Sequence, residues 1–174
     1  MYIGHVAAAL AAKRARTSIG LFALLVATYT PDWVDSALCL AGVNNTQGML
    51  SHSVPAVVLL SLAGFAFYAL RTRDWTAALV VAGVILSHVL LDWVTGYKPT
   101  WPGGPIIGLG LYGRPVADFF VEGVLIVMGV VLYGRTLPSR QRQWIDVSIM
   151  LGALLALQLG IDIAHMVLKS LPKC

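Results

Sequence analysis

Charge is what this chain has least of. Only 12 residues are Lys or Arg and 8 are Asp or Glu, 11% of 174, where a soluble domain carries about a quarter. That excludes a water-soluble globular fold. Cysteine is equally sparse: Cys39 and Cys174 are too few and too far apart for a disulfide framework or a thiolate metal site. The first residues lack a basic segment ahead of their apolar stretch, and their positive cluster (Lys13, Arg14, Arg16) follows it. They are therefore read as part of the mature chain rather than a secretory signal. There is no internal repeat and no low-complexity tract. The net charge of +4 sits in short turns between apolar runs, which suits membrane topology and excludes nucleic acid as a partner.

Apolar side chains are abundant instead. They make up 58% of the chain, with a mean hydropathy of +0.80, the composition of an integral membrane protein. The expected fold is all-α: a polytopic membrane helical bundle of about four spans plus an N-terminal short-helix hairpin, forming one membrane-embedded domain over 1–174. The hairpin (1–30) comprises helices at 2–15 and 19–29, each shorter than the ~20 residues that cross a bilayer. Pro31 ends the second helix, Asp32 and Asp35 follow it, and 41–48 reads as an irregular Gly/Asn linker. Spans are expected at 54–70, 75–92, 116–133 and 144–168. Between the second and third lies 93–115, rich in Gly and Pro. It is too long for a plain connector and is read as an outer loop or lid.

Laid alternately up and down, these helices place Lys13, Arg14, Arg16, Arg71, Arg73, Arg135, Arg140 and Arg142 at one end, against Lys98, Arg114, Lys169 and Lys173 at the other. The positive-inside rule assigns the first end to the cytoplasm. All four histidines (His5, His52, His88, His165) and six of the eight acids (Asp32, Asp35, Asp92, Asp118, Glu122, Asp162) then gather at the outer, non-cytoplasmic end. His88/Asp92 and Asp118/Glu122 are four apart, and Asp32/Asp35 and Asp162/His165 three apart, spacings that share one helical face. Ionisable groups in a span cost several kcal/mol at mid-bilayer and are by default functional candidates. Each pair alone has a plainer account. His88 with Asp92 fits a capped core histidine as well as a ligand pair, Asp32 and Asp35 fit a solvated turn, and Asp118 fits a helix N-terminus. Asp162/His165 also fits an interfacial pair, and Trp33, Trp93, Tyr97 and Trp101 fit membrane anchors. Their joint convergence favours a site. Imidazole and carboxylate without thiolate suit zinc, with manganese or iron as alternatives. One or two such ions lower the pKa of water and neutralise a phosphate oxygen, which is hydrolytic chemistry.

The order of motifs adds a resemblance. Gly4-His5, Pro31-Asp32-x-x-Asp35, Ser51-His52-Ser53, Ser87-His88-x-x-x-Asp92-x-x-Thr95-Gly96 and Trp101-Pro102 resemble the YdjM-like family of predicted membrane-bound metal-dependent hydrolases of the inner membrane, over roughly 4–102. The resemblance implies an all-helical membrane protein with His and Asp metal ligands, distantly similar to zinc-dependent phospholipase C. It makes His5, Asp32, Asp35, His52, His88 and Asp92 the candidate ligands. The chain departs from the pattern at Gln47-Gly48-Met49, where family members often carry His-Arg-Gly, so a ligand and a phosphate-binding arginine are absent there. Lys98 or Arg114 is then the candidate phosphate contact. Glu122 or Asp118 is expected as general base or orienter, with Asp162, His165 and Ser53 behind the ligands. The leading expectation is a hydrolase acting on phosphoesters or lipid head groups, with membrane lipid as environment and substrate. Its rivals are a non-catalytic membrane subunit that retains the metal site and, ranked below both, a proton or ion pathway.

Overall fold

The computed structural model describes residues 3–137 and 142–167. Arg140, Lys169, Lys173 and the expected end of the last span at Leu168 lie outside them, and of Arg142 only the backbone is described. Among the described residues eight α-helices follow in order: α1 (Gly4–Ala15), α2 (Leu21–Thr28), α3 (Thr30–Leu40), α4 (Met49–His52), α5 (Val54–Thr72), α6 (Trp75–Thr95), α7 (Pro115–Gly134) and α8 (Arg142–Val167). α5, α6, α7 and the 144–167 part of α8 are long and apolar enough to cross a bilayer.

The short α1–α2 hairpin sits in the middle of the bundle. α1 packs chiefly on α7 and α2 on α6, while α5 pairs with α6 and α8 with α7. One apolar core joins Leu24 and Ile19 to Val57, Val81 and Ile85; another joins Leu10 to Ile126 and Val130. The outer faces carry exposed Leu59, Leu62 and Phe67 on α5, Phe120, Val124 and Met128 on α7, and Ile145 and Ile149 on α8. Apolar side chains point outward while Thr28, Ser61, Gln158, His5, His52 and His88 are buried, the arrangement of a bundle solvated by lipid.

Two ties fix the hairpin. At its basic turn Arg16 donates to Asp74 at 2.8 Å. Asp74 also caps α6 by accepting the Ala77 N–H at 2.9 Å, and that backbone bond, then Arg16, holds its carboxyl below the usual value. Further along, Gly129 of α7 meets Ala7 of α1 so closely that an added Cβ would lie 2.6 Å from the Ala7 Cα. Only glycine fits there.

Two expectations change. Pro31 does not simply end a helix: it stands in the first turn of α3, where its fixed φ and missing N–H are tolerated, so Asp32 and Asp35 are helical. α6 continues three residues past Asp92 to Thr95, and the segment after it is ordered. There β1 (Lys98–Pro99) pairs antiparallel with β2 (Ile106–Ile107), followed by a 3-10 turn at Leu111–Gly113. This segment is fastened by Thr100 O accepting the Val54 N–H at 2.8 Å and Trp93 O accepting the Leu109 N–H at 3.0 Å. Gly108, at φ +135°, lies so near the Gly96 carbonyl that a Cβ would overlap it.

Replacing Gly129 by Val should push α1 off α7 and cost roughly 1–3 kcal/mol. Thermal unfolding in detergent reads this as a lowered Tm, and an unchanged Tm would show that the two helices do not depend on the close approach.

Candidate metal centre

The site forms where α1, α3, α4 and α6 meet. His88 occupies the α6 face turned toward the hairpin, with Asp92 one turn further along. The His88 Nδ1–H donates to the Thr28 carbonyl at 2.7 Å, which sets the tautomer and leaves Nε2 as the lone-pair nitrogen. Thr28 ends α2, so its carbonyl has no partner within that helix. Its Oγ1 donates to the His5 carbonyl at 3.0 Å, drawing α1 to the same point. The His5 ring stacks on His88 with centroids 3.8 Å apart.

His52 enters from the other side. Its Nδ1 meets Ser51 Oγ at 2.7 Å, and its Nε2 faces Asp32 Oδ1 at 3.1 Å. Behind Ser51 stand Asp35 and Asn45. Asn45 Nδ2 donates to Asp35 Oδ1 at 2.5 Å and to Ser51 Oγ at 2.8 Å, and Ser51 Oγ donates to Asp35 Oδ1 at 3.2 Å. Asp32 and Asp35, three apart on α3, thus play different parts: Asp32 faces the imidazoles and Asp35 orients one of them.

Two triads result, His5/His88/Asp92 and Asp32/His52/His88, each with ligand atoms within 4.8 Å of one another. The nitrogen–oxygen separations run from 3.1 Å (His52 Nε2 to Asp32) through 3.4 Å (His88 Nε2 to Asp92) to 3.7 Å (His52 Nε2 to Asp92). Bonds of about 2.0–2.2 Å at tetrahedral angles place zinc donors about 3.3–3.6 Å apart, within that range. His5 Nδ1 and His88 Nε2 are buried without a hydrogen-bond partner, a state that costs about 1–3 kcal/mol per polar atom unless something occupies the lone pair. Burial above all, then the field of His88, holds the His5 imidazole down at about 3, so it stays neutral, as a ligand must. Burial pushes the Asp32 carboxyl up, but its His52 hydrogen bond and the neighbouring imidazoles outweigh that and leave it lowered and ionised.

A cavity of about 370 Å³ opens onto this cluster, lined by Tyr29, Asp32, Asp92, Lys98 and Tyr112 among others. The Lys98 Nζ stands 3.6 Å from Asp92 Oδ2. Arg114 is exposed and lines none of the cavities described. The remaining expected residues lie apart from the triads. Ser53 caps α5, accepting the Ala56 N–H at 3.5 Å. Glu122 Oε2 accepts the Gly4 N–H at 2.9 Å, holding α1 one residue before His5. Asp118, Asp162 and His165 line a second cavity. Sequence reasoning missed Thr28, Tyr29, Asn45 and Tyr112. Only Ser51 carried a signal, through its place beside His52.

Fold and site together define a helical membrane protein with a buried His/Asp cluster able to hold a metal. The chain belongs to the YdjM inner membrane protein family, whose model matches residues 1–166. No curated protein and no solved structure matches it.

Because Ser51 is the direct partner of His52 Nδ1, Ser51→Ala should weaken metal affinity about 10- to 100-fold while the helix content by circular dichroism stays the same. Wild-type affinity in a competition titration against a chelating dye would remove Ser51 from the site.

Proposed function

We propose that the protein is a metal-dependent hydrolase of phosphoesters, with lipid head groups at the non-cytoplasmic membrane face as the substrate class. The reading is carried by one observation: five buried or half-buried His and Asp side chains form two triads that share His88, two of their ring nitrogens lack hydrogen-bond partners, and a cavity with a lysine opens beside them. His5, His52, His88, Asp32 and Asp92 would hold one or two divalent ions, zinc before manganese or iron. Such an ion would supply Lewis acidity, easing deprotonation of water and neutralising a phosphate oxygen.

The chain's own groups do the rest. Lys98, beside Asp92 in the cavity wall, neutralises a phosphate oxygen, standing in for the arginine absent at Gln47-Gly48-Met49. Asp35, through Ser51, keeps the His52 ring in place, and Glu122, through Gly4, does the same for α1 and His5. In the reaction, water oxygen bonds to phosphorus as the phosphorus–alkoxide bond breaks, and one water proton ends on the departing alcohol. Trp33 and Tyr97, next in sequence to Asp32 and Lys98 of the cavity wall, and Trp101 are exposed, as interfacial aromatics are where one end meets head groups. The outward assignment is supported by Lys13, Arg14, Arg16, Arg71, Arg73 and Arg135 at the far end.

Elemental mass spectrometry of the detergent-purified protein should find about one or two metal equivalents, lost in both His88→Ala and Asp92→Ala together with phosphoester hydrolysis. Metal-free wild type, with both variants as stable as it, would overturn the reading.

A further inference from the structure

A second cavity, of about 440 Å³, lies beside the first and shares Tyr112 with it as a wall. It sits between the start of α7 and the end of α8, lined by Asp118, Asp162, His165 and Tyr112 together with Gly113, Pro115 and Met166. Asp118 is 1% exposed, and its Oδ1 has no hydrogen-bond partner. Its carboxyl meets that of Asp162, whose oxygens already accept from Gln158 Nε2 at 3.1 and 3.2 Å. Glu122 adds a third acid one turn along α7. Among the described residues, neither Lys nor Arg lines this cavity. Two carboxylates so placed in apolar surroundings cannot both remain ionised unless a proton or a cation stands between them.

We propose that this cavity binds a primary ammonium group, and that the substrate of the adjoining metal centre is a phosphoester of a primary amino alcohol. This rests on the hydrolase reading for the phosphate half alone. An ammonium brings three N–H donors and no acceptor, matching the carboxylates of Asp118 and Asp162, beside which His165 also stands. The Tyr112 ring adds an aromatic surface attractive to cations. Because Tyr112 divides the cavities, a ligand with its ammonium against Asp118 and Asp162 reaches past that ring with its phosphate toward Lys98 and Asp92. A quaternary ammonium lacks the donors, so the site discriminates against it.

Ethylammonium and tetramethylammonium, each titrated into the detergent-purified full chain and followed by saturation-transfer NMR, test the subsite without any catalysis. Ethylammonium should bind and tetramethylammonium should bind more weakly. Asp118→Asn and Asp162→Asn should each weaken ethylammonium about tenfold, the worth of one charge-assisted hydrogen bond, and Asp118→Asn, which leaves the Gln158–Asp162 contact in place, should do so with metal content and Tm unchanged. Tyr112→Leu should weaken both cations. No ethylammonium binding to wild type would show that the two acids merely share a proton, and equal binding by the variants, or displacement of ethylammonium by micromolar calcium or magnesium, would likewise overturn the proposal. Activity separates the rest. Hydrolysis of phosphatidylethanolamine vesicles over phosphatidylglycerol ones, or of soluble phosphoethanolamine over phosphoglycerol, identifies the lipid or the free ester as the source of the group. Ethylammonium binding without hydrolysis of any ester would sink the hydrolase reading and leave the cation subsite standing.

Discussion

A histidine ring buried in a lipid-solvated bundle must have both nitrogens answered for, and the bond from His88 Nδ1 to the Thr28 carbonyl is how this fold begins to do it. An intact helix would have spent that carbonyl on the N–H four residues later. Here α2 stops at Thr28, and Pro31, lacking an N–H, opens α3 instead of extending α2. The break frees an acceptor at the level of His88, and the same residue's hydroxyl holds the His5 carbonyl. One chain interruption therefore fixes a tautomer on α6, brings in α1, and turns α3 so that Asp32 faces the rings.

The brevity of the hairpin follows from the same constraint. From His5 to Arg16 is about 17 Å of helix at 1.5 Å per residue, and from Asp74 to His88 about 21 Å. With Arg16 bonded to Asp74 at one end and His5 stacked on His88 at the other, α1 runs from the site to the basic end and needs no further length. A full span in its place would carry α1 past the cluster and fill the cavity above it.

Much of this was legible from residue order. Hydropathy located four spans to within a few residues because lipid demands long apolar helices, and the one-face spacing of His88 and Asp92 correctly placed them together. What periodicity could not supply was the facing of separate helices. It put ten ionisable groups at one end as a single cluster, whereas the fold divides them into a His/Asp side and an acidic side. Asp32 and Asp35 share a face of α3, yet one meets imidazoles and the other meets Ser51 and Asn45, a difference set by where α4 lies. Thr28, Asn45 and Tyr112 were invisible because each acts through position alone: a freed carbonyl, an amide behind a hydroxyl, a ring between cavities.

The two sides are joined through the start of α1. That helix has no capping side chain of its own, and its first N–H groups would be orphaned in a place without water. α7 and α8 supply the acceptors: Glu122 takes the Gly4 N–H, and Gln158 Oε1 takes that of Ile3 at 3.2 Å. Gln158 spends its amide donors on Asp162 of the acidic cavity, and His5 of the His/Asp cluster is the next residue after Gly4. A shift of Asp162 would therefore be felt through Gln158 and the α1 N-terminus at His5. The hydrogen bonds from Asp162 through Gln158 to the start of α1 thus run without a break from the acidic cavity to the residue pair that precedes His5.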